Sequence, residues 1–182
     1  MGKTCPSSDG PIWSVHSAAV KHGGFNPTTL ENDVAIITIN GTFAGQSNVK
    51  PIVIATTVLA VSTTNRSKCV VIGWGQNSIT TFNYNVFQAD YELLTDQECA
   101  AAGANPPSIM CAQSVRGYAC RVGGGAPLVC NGQLYGILTA QTNCTASSTA
   151  KIQMFAKLPV ISIPWSPATP PAPPRKNYVS CP

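Results

Sequence analysis

Cys120 and Cys130 bracket the stretch CRVGGGAPLVC, whose glycine run, Gly123 to Gly125, could bring backbone N–H groups close to a ligand. A glycine-rich loop of this kind can cradle a phosphate when a Lys-Ser/Thr pair and a helix start come after it. Here Ala126-Pro127-Leu128 comes after it, so the phosphate reading fails. The other chemistry open to the chain is nucleophilic hydrolysis, which needs an Oγ or a thiolate beside a base. The only histidines are His16 and His22, and the carboxylates within about a dozen positions of one or the other are Asp9, Glu31 and Asp33. No serine stands in the glycine run, and Ser114 lies ten residues before Gly124, too far along the chain to replace one.

Metal chemistry is no better served. Zinc sites need closely spaced ligand pairs, and the eight cysteines are spread out with no CxxC. Disulfides are the better use of them, which implies an oxidising compartment. The N-terminus, MGKTCPSSDG, has no apolar core of a signal peptide. Disulfides without a leader are in conflict, so the numbering is expected to start inside a longer precursor or the chain to be an incomplete product. No window approaches the roughly 18 apolar residues of a membrane span. Net charge is +4, from eleven basic and seven acidic residues, and the basic residues are scattered. A nucleic-acid surface would need a basic stripe.

The elements that must position these residues are short and β-branched: DVAIITI (33–39), PIVIAT (51–56), CVVIGWG (69–75), APLVC (126–130) and QLYGILTA (133–140). Runs at this spacing, separated by Gly, Pro, Asn, Ser and Thr, predict an all-β barrel or sandwich. TDQECAAAG (95–103) is the exception, because Thr95 and Glu98 form a capping-box pattern that opens a short helix. From Ile163 onward, seven of the last twenty residues are proline. Such a segment cannot pair centrally in a sheet and is read as an extended surface tail.

The glycine loop is similar to the nucleophile loop of the chymotrypsin/trypsin-like serine proteases, C-x-G-D-S-G-G-P-L-V-C. The lengths match without a gap, and Cys120, Gly125, Pro127, Leu128, Val129 and Cys130 fall on family letters. LENDVAIITI (30–39) resembles the family's N-D-I-A-L-L strand, with Asp33 at the catalytic aspartate. CVVIGWG resembles C-x-x-x-G-W-G, and ECAAAGANPPSIMCAQ (98–113) resembles the helix and loop closing on M-I-C-A-G. GILTAQTNC (136–144) stands where the family has G-I-V-S-W-G-x-x-C. The resemblance implies disulfides Cys99–Cys111, Cys69–Cys130 and Cys120–Cys144, with Cys5 and Cys181 left to pair with each other or with another chain.

The resemblance also implies a site without its chemistry. The family's serine falls on Gly124, and its acidic neighbour, which receives the new N-terminus after zymogen cleavage, falls on Gly123. The glycine of the oxyanion hole falls on Val122. Tyr118 takes the base of the primary specificity pocket, where its ring would fill the space. Thr139, Ala140 and Gln141 take the S-W-G pocket wall, and Gln141 would narrow the cleft. The catalytic histidine should precede the aspartate by roughly 45 positions, so its segment would fall before Met1. His22 instead matches the surface histidine of H-P-x-Y-N-P-x-T-L-x-N-D, and His16 matches nothing. Asp33, without an imidazole, must find other donors or protonate.

The expected fold is therefore all-β, a chymotrypsin-like double β-barrel over 1–163 with its first barrel incomplete at the N-terminus. A Pro-rich tail over 164–182 is expected to cover exposed strand edges. The expected function is a secreted, non-catalytic serine protease homologue that binds a protein partner: a protease, an inhibitor or a substrate. No cofactor, metal, nucleic acid or membrane is expected. The alternatives are a degenerate or partial gene product, an active serine-type endopeptidase with a non-standard nucleophile, and an adaptor acting through PPAPPR (170–175), which fits an SH3-ligand pattern. Asn40 and Asn65, in NGT and NRS, are N-glycosylation acceptors if the chain is secreted.

Overall fold

Ala89, Tyr91 and Leu93 alternate with Asp90 and Glu92, and the first three are 9 %, 1 % and 2 % exposed. That period of two lays one face of a strand on a core and leaves the other in water. The same alternation recurs at Leu128 and Cys130 and at Gln153 and Phe155, all of them buried. The structure, a computed structural model, describes residues 19–46, 49–76, 82–104, 107–119, 124–139 and 151–162. Its elements in chain order are β1 (Val20–Lys21), β2 (Ala35–Ile36), β3 (Lys68–Gln76), β4 (Phe82–Leu93), α1 (Asp96–Ala101), β5 (Ile109–Arg116), β6 (Pro127–Cys130), β7 (Gln133–Leu138) and β8 (Ile152–Lys157). A 3-10 turn over Leu158–Val160 comes last.

Strands β3 to β8 close into a barrel in the spatial order β3-β4-β5-β8-β7-β6, with every pairing antiparallel. The closing seam pairs β3 with β6, and Cys69 lies opposite Cys130 there. These two cysteines are joined by a disulfide, so the seam is covalent as well as hydrogen-bonded. Bulges at Gly73/Gly75, Asp90/Tyr91 and Leu128/Val129 supply the local bending that closure needs. β6 and β7 are joined by Asn131-Gly132, both at positive φ (50° and 76°). Two left-handed residues give the turn whose twist suits a two-residue hairpin, and Asn-Gly is the pair that tolerates it. The interior is filled by Val71, Tyr91, Leu93, Leu128, Leu138 and Phe155. Tyr91 and Phe155 meet edge to face, with ring centroids 6.0 Å apart.

Helix α1 forms as its sequence requires. The Thr95 side chain accepts from the Glu98 N–H, and the Glu98 carboxylate accepts from the Thr95 N–H. Cys99, its buried residue, is bonded to Cys111 of β5, which fixes the helix against the barrel.

The N-terminal region is less regular than its β-branched runs predict. Within 33–39, Ala35–Ile36 pairs with Val20–Lys21 and Ile39 sits in an isolated bridge, so the run forms no continuous strand among the described residues. Leu30 and Asn32 take left-handed conformations (φ 60° and 53°), which break the chain direction just before the run. Within 51–56 the backbone makes one rung, Leu134 N–H to Val53 O (2.9 Å) and Ala55 N–H to Leu134 O (3.0 Å). β7 pairs with β8 only over Gly136–Leu138, so the run meets the ring on the short stretch of β7 that β8 leaves open, at Leu134. Among the described residues there is thus one closed barrel and a separate two-stranded sheet. Conversely, β4, β5 and β8 are strands that apolar runs do not announce: β4 interleaves its inward residues with Gln88, Asp90 and Glu92, β5 buries Ile109 to Ala112 without alternation, and β8 buries the polar Gln153 and Lys157 themselves.

Candidate functional site

Gly124 lies in an exposed turn with Gly125. Gly125 has φ +82° and donates its N–H to Leu138 O (2.9 Å). Leu138 in turn donates to Ala126 O (2.9 Å), so this end of the loop is laced to the end of β7. Thr139, the next residue, sends both its N–H (3.0 Å) and its hydroxyl (3.3 Å) to Met154 O on β8. The Gly124 turn and Thr139 are therefore neighbours on one rim of the barrel. Val122, Gly123, Ala140 and Gln141, which complete the expected oxyanion hole and pocket wall, lie outside the described residues, as do Cys120, Cys144, Cys5, Cys181 and His16.

Tyr118 is half-buried and packs against the barrel core. The residue after it is held by a network that sequence reasoning missed. The Ala119 N–H donates to Tyr91 Oη (2.8 Å), Tyr91 Oη donates to the Gln153 side-chain oxygen, and the Gln153 amide donates to Ala119 O. Tyr91 and Gln153 are each 1 % exposed. Burial pushes the Tyr91 phenol up to about 12, so it stays neutral and can donate. A closed ring of three hydrogen bonds satisfies every polar atom it buries and fixes the backbone beside Tyr118. Its one trace in the sequence is Gln153, a polar residue on the same strand face as Phe155.

Asp33 is half-buried, and desolvation raises its pKa above the usual carboxylate value. No hydrogen bond among the described residues joins it to the Gly124 turn or to His22. His22 is committed elsewhere. Its Nδ1 accepts from the Gly24 N–H (3.0 Å), so its Nε2 carries the proton and donates to Ser162 O (2.9 Å). Both ring nitrogens are used to pin the chain after the 3-10 turn to the segment after β1. That is a structural histidine, and a general base needs a free nitrogen facing its substrate.

Of the acceptors for N-linked glycan, Asn65 is exposed in a turn where its N–H donates to Ser62 Oγ (2.9 Å), and Asn40 is half-buried. Among the described residues no cluster of three or more His, Cys, Asp or Glu could hold a metal ion. No helix among them is long and apolar enough to cross a membrane.

The sequence profile described as Trypsin matches residues 4–161. The chain is 30% identical over 149 residues to trypsin alpha-4 of Lucilia cuprina, a match covering 79% of this chain and 56% of the relative. It is 27% identical over 142 residues to trypsin II-P29 of Gallus gallus, covering 75% and 56%. The chain thus spans about half the length of the curated relatives it matches. Among solved structures it is similar to mouse neuropsin, described as a serine protease expressed in the limbic system of the brain. That match has a TM-score of 0.64 and 22% identity and covers 81% of this chain and 67% of that one. A barrel closed across Cys69–Cys130, a capped helix tied by Cys99–Cys111 and a profile match across most of the chain agree: the chain belongs to the trypsin family.

Proposed function

We propose that this chain is a secreted serine protease homologue that does not hydrolyse peptides and acts by binding a protein partner. The observation that carries this reading is Gly124, which stands where the family's nucleophile stands and has no Oγ to deliver. Acyl transfer by this family's route needs that oxygen, a base beside it and a carboxylate orienting the base. Among the described residues no imidazole bonds Asp33, and His22 spends both nitrogens on backbone groups. The disulfides suit an oxidising compartment, and Cys120–Cys144 and Cys5–Cys181 would complete the set. Glycans at Asn65 and Asn40 would fit the same location. The partner would be a protease, an inhibitor or a substrate of the same class, held without being cut.

The test is exposure of the purified protein to a fluorophosphonate probe and a panel of peptide substrates, with an active trypsin alongside. No labelling and no turnover above buffer are expected. Stoichiometric labelling would show that another nucleophile has been recruited and would end this reading.

A further inference from the structure

A cleft of about 460 Å³ opens where the start of α1, the ends of β4 and β8, and the segment 58–61 meet. Its apolar lining includes Val58, Leu93, Leu94, Met110 and Pro159. Leu93, Leu94 and Met110 are buried core residues, whereas Val58 is exposed, so the cleft runs from the surface down to the core. Such a space, mostly apolar with a few polar groups set into it, has the composition of a small-ligand site.

Two of its polar groups have hydrogen-bonding capacity to spare. Tyr135 lines the cleft and is 5 % exposed, yet its hydroxyl makes no hydrogen bond among the described residues. A tyrosine buried to that extent ordinarily finds a partner. No fully buried side-chain polar atom among the described residues is left without one, so the Tyr135 oxygen reaches accessible space. The second group is Lys157, whose side chain is 8 % exposed. Its Nζ donates to Asp96 Oδ1 (2.9 Å) and Oδ2 (3.2 Å). An ammonium has three N–H donors, and both described bonds go to one carboxylate. That carboxylate is 82 % exposed. Asp96 can return to water at little cost, because an exposed partner gains back its hydration, whereas Lys157 stays buried and needs an acceptor.

We propose that this cleft binds a small monocarboxylate with a short apolar tail. The tail lies against Leu93 and Met110, and the carboxylate accepts from the Tyr135 hydroxyl and from the Lys157 ammonium in place of Asp96. The site is separate from the Gly124 turn and holds whether or not that turn is catalytically dead.

The test is calorimetric titration of the full chain with sodium hexanoate, with 1-hexanol, which has the same tail and no charge, alongside. Saturable binding of hexanoate at least about tenfold tighter than that of hexanol is expected. Lys157→Gln strips the barrel of a buried ion pair, so the test rests on two milder variants. Tyr135→Phe, which removes only the hydroxyl, should weaken hexanoate several-fold and leave hexanol unchanged. Asp96→Ala, which removes the competing carboxylate, should tighten hexanoate several-fold. No saturable binding, equal affinity for hexanoate and hexanol, or an unchanged hexanoate affinity in either variant would overturn the proposal.

Discussion

The Asp33 carboxyl is half-buried with no described donor, so its ionisation is opposed by desolvation alone. The folded chain then holds this proton more tightly than the unfolded chain does. Stability must fall as pH rises from the ordinary value of 3.8 through the raised one. At neutral pH the charged side chain is a burden that an amide would not carry. Asp33→Asn should therefore leave the Tm at pH 7 unchanged or raise it, and a clear drop would reveal a partner for the carboxylate. Glu98 behaves in the opposite sense. The Arg66 guanidinium, bonded to both carboxylate oxygens, and then the Thr95 N–H hold its pKa down to about 2. The native state releases this proton more readily than the unfolded chain. The contribution is thus fully present above about 4.5 and is lost as pH falls toward about 2. Glu98→Gln should flatten that acid limb in urea unfolding measured across the window; an unchanged limb would mean that other carboxylates set it. Both residues could be named from the sequence, Asp33 by resemblance and Glu98 by its capping box. The sign of each shift could not, because it depends on neighbours such as Arg66, which lies 32 residues away.

Elements joined by tight backbone approach leave little room for change. At Gly136 of β7, an added Cβ would sit 3.0 Å from Phe155 Cβ, 3.2 Å from Ala156 O and 3.3 Å from Met110 Sδ. Two of those atoms belong to residues of β8, which pairs with β7 at this level. Gly136→Ala should force the strands apart and cost about 1–3 kcal/mol in chemical denaturation; a neutral result would show that Met110 alone yields. The elements differ in how far the sequence announced them. β6 and β7 were legible because β-branched and aromatic residues flank an Asn-Gly turn, and α1 because its cap is local. β4 was not, although it is the longest strand, with 12 residues. Its Asn, Gln, Asp and Glu residues hide an alternation whose inward members include a small alanine. The run at 51–56 misled for the opposite reason: it is rich in Ile and Val, yet the closed ring offers it a single rung. The Tyr91–Gln153–Ala119 ring was illegible because its members come from three separate segments and meet only when the barrel closes.

Among the described residues, regular structure is concentrated in the barrel. β3 to β8 share continuous ladders, whereas the described residues of 37–61 form no named strand and expose Ile37, Ile52, Val53 and Val58. Local opening tracks such differences in buried contact and hydrogen bonding. Amides of β4, β5 and β8 should exchange orders of magnitude more slowly than those of 37–61 in native-state hydrogen exchange. Equal protection would mean that the N-terminal region is covered by more than the described residues supply. The fold class was legible at this scale because five family-like segments occur in order, and the irregular course of 37–61 was not, because it is set by the ring it lies against.

The hydrogen bond from His22 to Ser162 has a consequence for chain connectivity. It brings residues 140 positions apart into contact, so the path from one to the other is nearly a loop in space. A loop can be cut anywhere that backbone is exposed and rejoined where its ends meet. Linking the two sides of that contact and opening the chain at Asn131-Gly132 would give a circular permutant with every barrel neighbour retained. The Cys69–Cys130 bond would then lie beside a new terminus and hold it in place. What the barrel depends on is which strands touch, and the order in which the polypeptide visits them is free to change.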